Sequence, residues 1–329
     1  MTRLLLGVDG GGTKTIALIA DGAGHVLGAG RSGSSDIHNE VSPQVAVDNI
    51  VEAVREAVRD AQVSLQDLDA CVFGLCGADW PEDVVFYADT LEDRLGLLSA
   101  PVVTNDAFNA LRAGTEDGIG VALVLGTGGA IAARGRDGRS WFSGEFIEST
   151  GALELGRRAY ELVIRGTYGS GPPPSYQAAA LARFDAPSIE AFVHAITRVG
   201  GEGRRSLARL APVLMQAGLE GDRMANLIMR EHGEILAGYI RRAADRVGLA
   251  AEGTRLVLAG GTFRHGAAVL RDALAAGVPG FELRPASCEP AHGALLSAGD
   301  VAGVKLDPIR LIDTGPEAGF FRTVPSEQP

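Results

Sequence analysis

Three short stretches combine residue types that could handle an anion, a cation and a proton. The first is Asp9-Gly10-Gly11-Gly12-Thr13-Lys14-Thr15, set between the apolar runs Leu4–Val8 and Ile16–Ala20. Three glycines without Cβ atoms let backbone N–H groups come close to an oxyanion. Thr13 and Thr15 add hydroxyls, Lys14 adds positive charge, and Asp9 offers the single carboxylate that a hydrated Mg²⁺ accepts beside phosphate oxygens. The second stretch, Leu125-Gly126-Thr127-Gly128-Gly129, repeats the glycine–threonine pattern between Gly120–Val124 and Ala130–Ala133. The third is Thr104-Asn105-Asp106, where an apolar run from Pro101 ends in an acid. A carboxylate there can orient a hydroxyl and take its proton. Asp is also favoured as a helix N-cap, and that reading stands beside the first. Likewise Thr127 can be a plain turn residue, and Gly260-Gly261, closing Arg255–Ala259, can serve close packing.

Neither glycine stretch is a Walker A loop, which needs glycine next to the lysine and a helix after it. The dinucleotide fingerprint is also missing, since Gly10 and Gly12 lack a third glycine and a helix. The 329 residues suffice for two domains, and 46% hydrophobic with 22% charged residues describes a globular chain. A net charge of −11 argues against nucleic acid or an anionic membrane as partner. No run reaches the length of a membrane span, and Leu4–Leu6 is too short for a signal core. Three cysteines without paired spacing are expected as reduced thiols of a cytoplasmic protein. Cys288 reads as a small buried residue, and His38 and His292 as structural or solvated ones.

The elements that must position these residues alternate. A hairpin of two strands and a third strand (Val26–Gly30) precede a helix from Ser42-Pro43 to about Val63, with Val47, Ile50, Val51, Val54 and Val58 at helical spacing. A buried strand follows at Ala70–Gly77, a helix at Glu82–Leu97, a strand at Pro101–Thr104 and a helix at Ala107–Ala113. The second glycine hairpin opens a second half. There Gly138–Gly151 is loop or short strand, and helices are expected at Ala152–Arg165, Pro174–Phe184, Ile189–Val199, Gly203–Ala217 and Asp222–Val247. A strand at Arg255–Gly261, a helix at Phe263–Ala276, a short strand at Phe281–Arg284 and a small-residue helix at Ala291–Ala302 (Gly293, Ala294, Ala298) complete it. Strands that end in polar residues and run into helices are the α/β pattern, in which ligands bind at the carboxyl ends of the strands.

Two glycine–threonine hairpins followed by a late strand–Gly-Gly–helix resemble the N-acetylglucosamine kinase and BadF/BadG/BcrA/BcrD-type ATPase family of the actin-like ATPase and sugar-kinase superfamily. The resemblance runs from about Leu4 to Ala302. It implies an α/β fold of two actin-like (ribonuclease H-like) ATPase domains with a nucleotide/sugar cleft between them. Residues 1–113 would form the first, with a final helix at about 291–303 packing back on it. Residues 114–290 would form the second with a helical insertion, and 305–329 an extended tail. Gly10, Gly11, Gly12, Thr13 and Lys14 stand at the family's first phosphate segment, Gly126, Thr127 and Gly128 at its second, and Gly260 and Gly261 at its adenosine segment. Gly74–Asp79 is similar to a recurring strand-and-loop element, and Pro290–Ala294 to the final connecting helix. Asp106 falls at the catalytic aspartate.

The activity implied is transfer of the γ-phosphoryl of ATP, with Mg²⁺ held through water by Asp9, to a hydroxyl of a small-molecule sugar. The acceptor expected is the 6-hydroxyl of N-acetyl-D-glucosamine or a related amino-hexose or hexose, and a homodimer is expected. Ser35, Asp36, Asn105, Asp106, Glu145 and Glu148 stand toward the sugar. Asp36 replaces an asparagine usual in the family, Glu148 would replace an aspartate, and Gly129 stands where serine is common. These acids raise glucosamine or a broad hexose range as alternatives. An activator ATPase is a further alternative, although no cysteine lies between Cys76 and Cys288 to hold its cluster. A non-enzymatic nucleotide switch is the last.

Overall fold

A computed structural model describes residues 3–38, 42–144, 150–169, 171–264 and 267–322. The chain divides into two compact units, Met1–Gly120 with Pro285–Pro329, and Val121–Arg284.

In the first unit, strands β1 (Leu4–Gly10), β2 (Thr15–Asp21), β3 (Val26–Ser32), β4 (Ala70–Leu75) and β5 (Val102–Thr104) form one sheet in the order β3-β2-β1-β4-β5. β1 pairs antiparallel with β2 and parallel with β4, and β4 pairs parallel with β5. Alternation with period two sends Leu6, Val8, Ala17 and Ile19 to one face and Leu5, Ile16, Leu18 and Ala20 to the other. Helices α1 (Pro43–Ala61) and α2 (Pro81–Leu95) cover the first face through Ile50, Val54, Tyr87 and Leu91. Proline stands in the first turn of α1 as expected, but Ser42 makes no side-chain capping bond. The register aligns Asp9 with Gly74 and Gly74 with Thr104, so three parallel strands end side by side. Helix α3 (Ala107–Ala113) starts directly beyond the last of them, with all seven of its residues buried.

The second unit holds β6 (Gly120–Leu125), β7 (Gly129–Arg134), β8 (Ser140–Phe142), β9 (Arg255–Ala259) and β10 (Glu282–Pro285) in the order β10-β9-β6-β7-β8. β6 and β9 are parallel, and Val124 lies opposite Ala259. Between β8 and β9 come α4 (Ala152–Tyr168), α5 (Gln177–Ala182), α6 (Ile189–Thr197), α7 (Ala211–Leu219) and α8 (Arg223–Arg246). α4 to α7 share a core of their own around Leu155, Phe192 and Leu214, while α8 packs on the sheet through Leu236 and Ile240. The helix expected over Gly203–Ala217 is broken: Arg204–Leu210 is 3-10, and α7 begins with Pro212 in its first turn. Proline has no N–H to give a preceding carbonyl, so it starts the α-helix instead of continuing one. The helix expected over Phe263–Ala276 is two, α9 (Gly261–Arg264) and α10 (Ala268–Gly277).

The chain then returns to the first unit. α11 (Pro290–Ala302) covers the second face of its sheet. A Cβ at Gly7 would lie 2.3 Å from the Leu295 nitrogen, and one at Gly293 2.0 Å from the Asn109 oxygen, so the small residues of α11 allow contact at backbone distance. Arg112 of α3 clasps Asp300 of α11 at 2.7 Å. The segment expected to be extended carries a helix, α12 (Pro308–Thr314), whose first turn has Asp307 accepting from the Ile309 amide and Pro308 in place. Beyond it Phe321 is buried against His292 with its ring 5.1 Å away.

Candidate functional site

At the end of β1 the hairpin tip closes with the Gly11 amide donating to the Lys14 carbonyl at 2.8 Å. Gly12 and Thr13 are exposed. Thr15 is buried, and its hydroxyl donates to the Gly33 carbonyl at 2.8 Å, binding the tip to the loop after β3. Glycine serves two purposes here. Gly10 is dictated by packing, since a Cβ would lie 2.5 Å from Ser35 Oγ and 2.7 Å from Leu75. At Gly11 and Gly12 a Cβ would find nothing nearer than 3.6 and 3.9 Å, and neither has a positive φ. The fold does not require glycine at those two positions, whereas close approach of a ligand to the backbone does. Lys14 is part-buried and its Nζ donates to the Phe321 carbonyl at 2.5 Å, so the C-terminal segment shares this cation.

Four carboxylates gather at the same strand ends. Asp9 is half-buried, and Oδ1 accepts from Asn109 Nδ2 at 2.9 Å. Asn109 also donates to the Val8 and Gly74 carbonyls, both at 3.3 Å. It fits because Gly74 has no side chain: a Cβ there would lie 2.2 Å from Asn109 Nδ2. Burial pushes Asp9 up to about 6, with Glu289 adding to the push and with Asn109 and the Lys14 charge opposing it. Asp106 goes further, to about 8, first through burial and then through the charges of Asp9, Asp79 and Asp36. The capping role open to Asp106 is taken by Asn105, whose Oδ1 accepts from the Ala107 amide at 3.0 Å, while the Asp106 side chain makes no cap. Asn105 Nδ2 donates to Asp79 Oδ1 at 3.0 Å. Asp36 is buried; its Oδ1 accepts from the His38 amide at 3.0 Å and its Oδ2 from the Cys76 thiol at 3.6 Å. Burial, then Asp106, Asp36 and Asp79, raise the Cys76 thiol well above its ordinary value, which keeps it a donor.

Ser35 is fully buried, with its hydroxyl against Gly10 and without a hydrogen-bond partner. Glu145 and Glu148 lie outside the described residues. His38 pairs with Asp83 at 3.2 Å, and His292 is buried. Burial pushes the Cys288 thiol up to about 11, as befits a packed residue.

The tip in the second unit is neutral. The Gly126 amide donates to the Gly128 carbonyl at 3.0 Å, and Thr127 and Gly128 are exposed. The start of α4 backs the tip, with the Ala152 amide on the Gly126 carbonyl at 2.9 Å and the Leu153 amide on the Thr127 carbonyl at 3.0 Å. Gly129 is dictated by packing, since a Cβ would lie 2.2 Å from Thr150 Oγ1, whereas Gly126 and Gly128 have nothing within 4 Å of theirs. Gly260, at the end of β9 beside β6, has φ +96° and would place a Cβ 2.3 Å from the Leu125 oxygen. Packing explains that glycine. Gly261 is open.

Asn109, Asp79 and Gly74 escaped the sequence reading as site residues. An asparagine on a small apolar helix signals nothing until the register puts it between two strand ends. Among the described residues no group of three or more ligating side chains gathers for a metal. Asp9 alone suits a Mg²⁺ that keeps most of its water and takes phosphate oxygens, and burial is the main cause of its raised pKa.

A model of the BadF/BadG/BcrA/BcrD ATPase family matches residues 6–298. The chain belongs to this family. Membership implies ATP as the nucleotide. The N-acetyl-D-glucosamine kinase of Dictyostelium discoideum is 26% identical over 313 residues, spanning 90% of this chain and 98% of that one. The N-acetylmuramic acid/N-acetylglucosamine kinase of Clostridium acetobutylicum is 26% identical over 267 residues, spanning 80% and 86%. A crystal structure of a candidate N-acetylglucosamine kinase from Chromobacterium violaceum is 25% identical, with a TM-score of 0.69 over 90% of this chain and 99% of that one. A ROK family glucokinase from Streptomyces griseus, solved with glucose and AMPPNP, shares the fold at a TM-score of 0.57 and 21% identity, over 91% and 99% of the two chains. The α/β, actin-like architecture expected from the motifs is the one found. No described helix is long and apolar enough to cross a membrane.

Proposed function

We propose that the protein is an ATP-dependent sugar kinase that phosphorylates N-acetylglucosamine or a closely related amino-hexose, at the 6-hydroxyl. The observation that carries this is the placement of the Asp106 carboxyl at the end of β5, where β1, with Asp9, and β4 also end. Asp106 is a carboxyl raised to about 8 at the end of β5, within the field of Asp9, Asp79 and Asp36. Phosphoryl transfer asks the protein mainly to position groups and neutralise charge. In this reading Asp106 orients the acceptor hydroxyl and, in its ionised form, takes its proton, and its raised pKa makes that form the stronger base. Asp36 and Asn105 hold the sugar, with Glu145 and Glu148 as further contacts. The backbone amides of Gly12 and Thr13 and of Thr127 and Gly128 hold phosphate oxygens at tips closed by the Gly11 and Gly126 amides, Lys14 adds charge, and Gly261 with Gly260 borders the adenosine. Mg²⁺, held through water by Asp9, supplies neutralisation of the polyphosphate when bound. The protein acts as a cytoplasmic homodimer.

One observation favours a second substrate. Asp36 is a buried carboxylate that this reading places in the sugar subsite, and opposite charges attract. Glucosamine carries an ammonium where N-acetylglucosamine carries an acetamide. A coupled ATP-consumption assay over N-acetylglucosamine, glucosamine, glucose and mannose tests both readings. Sugar-dependent turnover led by one of the two amino sugars is expected. ATP hydrolysis indifferent to every sugar would remove the kinase assignment in favour of a nucleotide switch.

A further inference from the structure

The loops that carry Asp36 and Asp79 have no regular structure, yet both are tied to one face of α2. Asp83 and Tyr87 stand four residues apart, and so on the same side of the helix. Tyr87 is fully buried. Its hydroxyl donates to the Ser35 carbonyl at 2.6 Å and lies 3.2 Å from the Cys76 carbonyl, and it accepts from the Ile37 amide at 3.4 Å. It therefore grips the backbone on both sides of Asp36 and reaches the residue that opens the neighbouring loop. Gly77, with φ +86°, lets these groups meet: a Cβ there would lie 3.0 Å from the Tyr87 oxygen and 3.3 Å from Asp36 Oδ1. One turn earlier Asp83 repeats the bridge. Its Oδ2 accepts from the Trp80 amide at 2.9 Å and the Asp79 amide at 3.3 Å, and it pairs with His38 Nε2 at 3.2 Å.

We propose that Tyr87 and Asp83 are positioning residues of the sugar subsite, which fix the separation of Asp36 and Asp79 by tying both loops to α2. This rests on the reading of Asp36 as a sugar contact. The Tyr87 phenol does this as a neutral group. Burial raises its pKa far above the ordinary value, so it keeps the proton it donates. Loss of either anchor lets the Asp36 loop shift by a fraction of an ångström or more, and misplacement on that scale lowers affinity for the sugar while leaving the nucleotide contacts of the hairpin tips in place.

The test uses the full chain in the coupled assay with the best amino sugar. Tyr87→Phe keeps the ring in the core it shares with Leu91 and Phe73 and removes only the hydroxyl, and Asp83→Ala is the independent second variant. Each is expected to raise the KM for sugar by about 10–100-fold with the KM for ATP unchanged. Asp36→Ala is the reference, and in the double variant with Tyr87→Phe the two effects should not add, because Tyr87 acts through Asp36. If Asp36→Ala raises the KM for sugar while Tyr87→Phe and Asp83→Ala do not, the inference is overturned alone. Full additivity in the double variant overturns it as well. If Asp36→Ala leaves the KM for sugar unchanged, the reading of Asp36 falls and the inference falls with it.

Discussion

At the first hairpin tip Gly12 is exposed and lies near Asp36, Asp9 stands at the base of the tip within the field of Asp106, and Lys14 is shared with the Phe321 carbonyl. At the second, Thr127 and Gly128 are exposed, the Gly126 and Thr127 carbonyls meet the start of α4, and the tip residues Gly126-Thr127-Gly128-Gly129 carry no charge. The backbone device is the same and the electrostatics differ. In each tip one glycine is dictated by packing, Gly10 against Ser35 and Gly129 against Thr150, while its neighbours are open. Under the proposed function the difference is a division of labour, in which the neutral tip needs only amide donors and the acidic one also handles a cation and a proton.

Breaking the acidic tip gives the largest expected effect. Asp106→Asn should lower kcat by roughly 10²–10⁴ with little change in the KM for ATP, read in the coupled assay. Unchanged turnover would remove Asp106 from the chemistry. Next come substitutions that sort the glycines. Gly74→Ala and Gly260→Ala should lose about 1–3 kcal/mol of stability in chemical denaturation, since each Cβ meets Asn109 or the Leu125 backbone. Gly12→Ala and Gly128→Ala should keep the wild-type midpoint and raise the KM for ATP about tenfold, equivalent to about 1.4 kcal/mol. An unchanged KM at both would remove the argument that a ligand requires these glycines.

Smaller effects follow from titration, and their signs oppose. Asp106 in the folded chain holds its proton up to about pH 8, whereas at its ordinary value of 3.8 it would shed it, so this group lowers stability as pH rises across that window. Asp106→Asn should therefore flatten the fall in Tm between pH 5 and 8. A steeper fall would contradict the assignment. Burial pushes His292 down from 6.5 to about 4, so the folded chain resists a proton that the unfolded chain takes, and stability drops as pH falls between those values. His292→Leu should remove that acid sensitivity in thermal melts. The smallest effect falls on Lys14→Met, which should raise the KM for ATP by less than the tenfold of the glycine variants, because the ammonium is already shared with Phe321.

Much of this arrangement is legible in the residues. Alternation in Leu4–Val8 and Ile16–Ala20, glycines between them, and the small residues of α11 follow from local rules of pleat, turn and close packing. Asp307-Pro308 also carried a helix-start signal that the expectation of an extended tail passed over. Other features depend on contacts distant in sequence. Asn109 acquires its meaning from the Val8 and Gly74 carbonyls, Asn105 from Asp79, and Tyr87 from loops 52 and 11 residues away. Ser35, in the loop after β3, packs against Gly10 at the end of β1.

The central claim is that open glycines at both tips take phosphate oxygens on their backbone amides. Amide hydrogen exchange of the full chain, with and without AMPPNP and Mg²⁺, tests it most directly. Added protection at residues 10–14 and at 126–129 is the predicted result. Protection confined to other segments, with neither tip slowed, would contradict it.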